Sequence, residues 1–139
     1  GLGNFTLPLA RRAREVVGVE GDAALVERAR HNAALNQLGN VSFKTANLFD
    51  TSIAATVLGG PFDRVLLDPP RAGALEVLPT LAALAPRRMV YVSCHPGTLA
   101  RDLDVLCHQH GFQLAAAGVI DMFPHTNHVE SIAVLERSR

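Results

Sequence analysis

Short apolar runs alternate along this chain with longer amphipathic stretches, and the alternation predicts its elements. Glu15–Glu20 (EVVGVE), Val41–Ala46, Phe62–Asp68 (FDRVLLD) and Arg88–Cys94 (RMVYVSC) are short, aliphatic or β-branched, and closed by polar or turn residues, so each predicts a strand. The stretches between them predict helices. The clearest starts at Asp22, a good N-cap, carries Leu25, Ala29 and Ala33 at spacings of four, and stops near Gly39. Others cover Thr51–Leu58, Ala74–Leu84 and Thr98–His110. Nearly all-apolar strands separated by helices predict an α/β fold, a mostly parallel sheet with helices on both faces. The last two apolar runs, Phe112–Ile120 and Val129–Glu136, have no helix between them and predict an antiparallel closing pair. There are no internal repeats, low-complexity tracts or Gly/Ser/Pro-rich linkers, so residues 1–139 predict one domain.

Composition narrows the class. No run of 18 or more apolar residues and no signal peptide is present, which predicts a soluble, cytoplasmic protein without membrane partners. Two cysteines, Cys94 and Cys107, give neither a disulfide framework nor a zinc site. His95, His108, His110, His125 and His128 do not fall into a metal-ligand spacing, so no metal is expected. With 13 Lys+Arg against 13 Asp+Glu the charge is balanced, so any grip on nucleic acid must come largely from outside this segment.

In open α/β sheets ligands bind beyond the carboxyl ends of the strands. The residues there are Glu20, Asn47, Asp68 and Cys94, which predicts that they share one rim. Four constellations stand out. Gly1-Leu2-Gly3-Asn4-Phe5 reads as a glycine loop after a first strand that is itself missing, so the chain is expected to be cut from a longer polypeptide. An acid at Glu20, at the end of the next strand, suits a pair of ribose hydroxyls, although the glycines alone would serve a tight turn equally well. In Asp68-Pro69-Pro70-Arg71 two prolines end the strand and hold a carboxylate at the rim; a plain strand-ending turn is the alternative. Ser93-Cys94-His95-Pro96 places a thiol at a strand end ahead of a helix N-terminus, a field that favours thiolate, although taken alone Cys94 would serve equally well as a small buried hydrophobe, the reading that Cys107 has inside a helical pattern. Asp121–Ser131 (DMFPHTNHVES) packs polar groups at the opening of an apolar strand, where a carboxylate must be paired or wet.

Read in order, GLGNFTLPLA, VGVEG, DPPRAG, VSCHPGTLARD and DMFPHTNHVE resemble the RNA uracil-5-methyltransferase family, specifically its 23S ribosomal RNA branch, over essentially the whole chain. The resemblance implies a Rossmann-like class I methyltransferase fold with S-adenosyl-L-methionine as cofactor. It places the cofactor on Gly1, Gly3, Asn4, Glu20, Asn47 and Asp68, the nucleophile on Cys94 and the general base on Glu130. It also implies upstream parts, an RNA-binding barrel and, in many members, an iron–sulfur cluster. One motif departs: the family's cysteine-asparagine-proline is Cys94-His95-Pro96 here.

The implied reaction methylates carbon 5 of a uridine in 23S ribosomal RNA. That carbon is a poor nucleophile, and addition of a thiolate at carbon 6 would push electron density onto it. The transfer RNA branch of the family is the nearest alternative. An RNA cytosine-5-methyltransferase would show Pro-Cys where this chain has Asp68-Pro69-Pro70, and an amino-group methyltransferase has no need of Cys94 or Glu130. A non-catalytic cofactor-binding fragment is the alternative outside enzymes.

Overall fold

In the computed structural model, which describes residues 1–137, the chain forms two compact units, residues 1–57 and the residues from Leu58 onward. The first contains α1 (Thr6–Ala10), β1 (Val16–Glu20), α2 (Ala23–Leu35), β2 (Val41–Thr45) and most of α3 (Thr51–Leu58). Asp22 caps α2 as its position predicts, accepting from the N–H groups of Ala24 (2.7 Å) and Leu25 (3.2 Å). From there α2 carries the chain back so that β1 and β2 pair in parallel, Val16 against Val41 through Glu20 against Thr45. The helix buries Ala29 and Ala33 as expected, with Val26 rather than the half-buried Leu25 completing the apolar stripe. It also ends earlier than Gly39. Gln37 takes a left-handed backbone (φ 55), and the Asn40 side chain donates to the carbonyls of Ala10 (2.8 Å) and Ala13 (2.9 Å), tying the approach to β1 to the start of β2. The five-residue α1 was not among the expected elements, being too short to show a period.

The second unit contains β3 (Arg64–Leu67), a 3₁₀ turn at Leu75–Val77, α4 (Leu78–Ala83), β4 (Arg88–Ser93), α5 (Pro96–Gln109), β5 (Phe112–Ile120) and β6 (Glu130–Arg137). Its sheet runs β3-β4-β6-β5, with β3 and β4 parallel and the other pairs antiparallel. The closing pair is there as expected, and β6 also inserts beside β4. Alternate residues Met89, Tyr91 and Ser93 of β4 and Ser131, Ala133 and Leu135 of β6 are buried, as are Leu78 and Leu81 of α4 and Leu99 and Leu106 of α5. The stretch 74–84 is not one helix. Pro79 has no N–H to give a preceding turn and stands instead in the first turn of α4, leaving Leu75–Val77 as 3₁₀. The α/β class stands, with parallel ladders where helices connect the strands and antiparallel ones at the end of the chain. No helix among the described residues is long and apolar enough to cross a membrane.

Candidate active site

In the first unit the glycine loop and Glu20 meet. The Gly1 ammonium forms an ion pair with the Glu20 carboxylate, whose other oxygen accepts from the Asp22 N–H (3.0 Å). Burial pushes this carboxyl up, but the hydrogen bonds from Gly1 and from the Asp22 and Gly21 backbone outweigh it and hold it below its ordinary range. Glu20 thus stands at the carboxyl end of β1 as an acceptor for the backbone of the turn that follows it. Gly3 has φ +91, and a Cβ there would stand 3.2 Å from Leu7 Cγ, so the loop's shape requires glycine. The Asn32 side chain of α2 donates to the Leu2 carbonyl (3.1 Å), a loop support the sequence reading missed. Asn4 is exposed. Asn47, two residues past β2 at the same strand ends as Glu20, is exposed too and accepts from the Phe49 N–H (3.1 Å).

In the second unit Asp68 follows β3 and Cys94 follows β4, both at the carboxyl ends of a parallel pair in which Leu67 faces Tyr91. Asp68 is open to solvent by surface area, yet the protein around it displaces enough solvent to push its carboxyl above the ordinary range. Cys94 is half-buried in a turn built by its neighbours. The buried Ser93 hydroxyl accepts from the His95 N–H and donates to the His95 carbonyl, both at 3.1 Å, so two bonds bracket the cysteine. His95 then caps α5, which starts at Pro96 rather than Thr98. Its Nδ1 accepts from the Thr98 N–H (3.2 Å), which puts the proton of the neutral ring on Nε2.

That bond gives a physical account of the departure from the family's cysteine-asparagine-proline, because an asparagine Oδ1 can take the same N–H. His95→Asn should therefore leave thermal unfolding nearly unchanged, and His95→Ala should destabilise the helix start by about 1 kcal/mol. Equal melting temperatures for His95→Ala and the unsubstituted chain would contradict the cap.

The antiparallel register then brings a distant carboxylate to the thiol. Ser93 faces Ser131 in the last β4–β6 pair, so Cys94, the residue after Ser93, and Glu130, the residue before Ser131, both adjoin that terminal pair. Alternation along β6 puts Glu130 on the face opposite buried Ser131. Glu130 is half-buried, and neither group is sealed in apolar packing. The segment Asp121–His128 leading into it is exposed, with Thr126 Oγ1 donating to the Phe123 carbonyl (2.7 Å) and the Phe123 and His128 rings edge-on at 6.5 Å. Cys107, expected to be buried, is only half-buried on α5. A depression of about 440 Å³ at the amino ends of β1 and β2, lined by Arg14, Glu15 and Gly39–Ser42, contains none of these residues.

Residues 1–138 match the tRNA (Uracil-5-)-methyltransferase family. The chain belongs to that family. Among curated proteins it is similar to the 23S rRNA (uracil(1939)-C(5))-methyltransferase RlmD of Alkalilimnicola ehrlichii, 65% identical over 137 residues, which are 99% of this chain and 31% of that protein. The corresponding protein of Stenotrophomonas maltophilia is 60% identical over the same share of each chain. The chain thus spans about a third of the length of the curated relatives it matches. Among solved structures it resembles the tRNA (uracil-54, C5)-methyltransferase of Pyrococcus abyssi in complex with S-adenosyl-L-homocysteine, at TM-score 0.82 and 35% identity over 97% of this chain and 32% of that one.

Proposed function

We propose that this chain is the catalytic segment of an S-adenosyl-L-methionine-dependent RNA methyltransferase that modifies carbon 5 of a uridine in 23S ribosomal RNA, with Cys94 as nucleophile and Glu130 as general base. The observation that carries the reading is the end of the β4–β6 ladder at Ser93–Ser131, a terminal pair that Cys94 and Glu130, from distant parts of the chain, each adjoin by one residue. Family membership and the 65% identity to a 23S rRNA enzyme support the substrate class, and the structural relative crystallised with S-adenosyl-L-homocysteine supports the methyl donor.

The residues of the first unit suit that donor. Glu20 is a carboxylate at the carboxyl end of β1 with two oxygens to offer a pair of ribose hydroxyls, and Gly1, Gly3 and Asn4 present backbone and an amide beside it. Asn47 and Asp68 complete the family's set. When bound, the donor supplies an electrophilic methyl group on a sulfonium.

The chain's own groups do the rest. Cys94 Sγ forms a bond to carbon 6 of the uracil, and the electron pair of the 5,6 double bond moves towards carbon 5 and the carbonyl at carbon 4, which makes carbon 5 nucleophilic. Once carbon 5 has been methylated, Glu130 takes its proton. The electrons left behind restore the double bond and expel the Cys94 thiolate. The target base must leave its stack to reach the thiol, a cost of about a few kcal/mol that is smallest for a loop uridine.

A 23S rRNA fragment carrying 5-fluorouridine tests this in a protein of the relatives' full length that contains this chain. Fluorine cannot leave as a cation, so the reaction should stop as a denaturant-stable, donor-dependent protein–RNA complex, joined through Cys94 by peptide mapping. Product formation on ordinary RNA with no trapped complex on the fluorinated one would defeat the adduct route. Preferential methylation of transfer RNA would move the substrate to the other branch of the family.

A further inference from the structure

Asp102 is a fully buried carboxylate on the apolar face of α5, in line with Leu99 and Leu106. The proposed chemistry does not use it, and a buried charge persists only where its acceptors are filled. They are filled by four donors. Asp102 accepts from the Ala74 N–H (2.7 Å), the Tyr91 hydroxyl (2.5 Å), and Arg101 Nε (2.9 Å) and Nη2 (2.7 Å). Arg101 Nη2 also donates to the Ala72 carbonyl (2.8 Å), and Thr98 Oγ1 donates to the Arg71 carbonyl (3.0 Å). Backbone groups of Arg71, Ala72 and Ala74, in the loop that follows Asp68, are therefore held by three residues in the first two turns of α5.

Gly73 shows how close the fit is. It has φ +87, and a Cβ on it would lie 2.6 Å from both Arg101 Nη2 and Asp102 Oδ2. Only glycine lets the loop pass over the ion pair. The same helix begins at His95, whose ring caps it immediately after Cys94, and Tyr91 belongs to the strand that ends in Ser93. Burial, and after it the bond to Asp102, pushes the Tyr91 hydroxyl well above its ordinary range, so it remains a donor at any working pH.

We propose that Asp102, gripped by Tyr91 and Arg101, is a positioning residue that locks the Asp68–Ala74 loop onto α5 and so fixes where Asp68 and Cys94 stand relative to each other. The functional consequence rests on the reading of Cys94 as nucleophile. A displacement of about 1 Å between reacting groups costs on the order of a hundredfold in rate, so a loosened lock should be visible in chemistry before it is visible in folding.

The test uses Asp102→Asn and Tyr91→Phe, each of which keeps the side chain's volume, in two measurements. The first is the single-turnover rate of covalent complex formation with 23S rRNA in a full-length Glu130→Gln background. The second is amide hydrogen exchange of the 139-residue chain. The expected result is a rate lowered by about tenfold to a hundredfold with RNA binding unchanged, and exchange that quickens together at Ala72–Ala74 and at the Cys94–Leu99 segment. An unchanged rate in both variants, or exchange that quickens in the loop alone, overturns the proposal. Asp102→Glu should not rescue, because the longer side chain cannot keep Ala74 and Tyr91 together; full rescue would also overturn it. If the Glu130→Gln background itself forms no complex, the proposed reaction fails, and the exchange measurement decides whether the lock couples the two segments.

Discussion

Cys94→Ala, made in a protein of the relatives' full length that carries this chain, should lose methylation by at least about four orders of magnitude while still binding S-adenosyl-L-methionine. The size follows from the chemistry. Without a bond to carbon 6 the uracil ring offers too little electron density at carbon 5, and the side chains flanking Cys94 are engaged within the turn. The His95 ring is committed to the Thr98 N–H and the Ser93 hydroxyl to the His95 backbone. Retention of the cofactor follows because the residues assigned to it, Gly1, Gly3, Asn4, Glu20, Asn47 and Asp68, do not include Cys94. The substitution should also be mild for the fold, since Cys94 lies in a half-buried turn held by its neighbours' bonds. Calorimetry with the cofactor and transfer of a labelled methyl group to 23S rRNA measure the two halves. Turnover by the alanine variant would eliminate the adduct.

How much of this could be read from the sequence depends on how local each cause is. Asp22 was legible because an N-cap acts over three residues, and the paired bonds to Ala24 and Leu25 are what that position predicts. The prolines of Asp68-Pro69-Pro70 were legible as a strand end for the same reason. The helix at 74–84 was misjudged because one proline decides whether apolar spacing continues or restarts.

The site itself is another matter. Nothing in the local sequence tells that Cys94 and Glu130 adjoin one terminal pair of the sheet; that depends on β6 entering between β4 and β5 in one register, and a slip of one residue would turn Glu130 to the other face. The resemblance to a family supplied their proposed roles, and the ladder brings their neighbours Ser93 and Ser131 together. Asp102 left a partial signal, a carboxylate in the Leu99–Leu106 stripe, but its partners Tyr91 and Ala74 come from other elements and only packing brings them together. His95 was legible as a departure from the family's asparagine and not as a cap, because the helix was expected to start at Thr98.

Glu130→Gln in the same full-length protein should stall with RNA attached. Glutamine keeps the size and the start of β6, where Glu130 pairs with Ile120, so the thiol, the cofactor residues and the sheet end are undisturbed. Its amide cannot take up a proton from carbon 5. Addition at carbon 6 and methylation precede that step and should proceed, after which the methylated ring cannot restore its double bond and Cys94 cannot leave. The expected observation is one methyl group transferred per protein molecule and no further turnover, with a protein–RNA band that survives denaturant and disappears when Cys94 is replaced as well. This separates the two roles, since loss of the nucleophile gives no band and loss of the base gives a permanent one. Normal turnover, or absence of the band with RNA binding intact, would take Glu130 out of the base role and leave the exposed Asp121–His128 segment as the place to look for another proton acceptor.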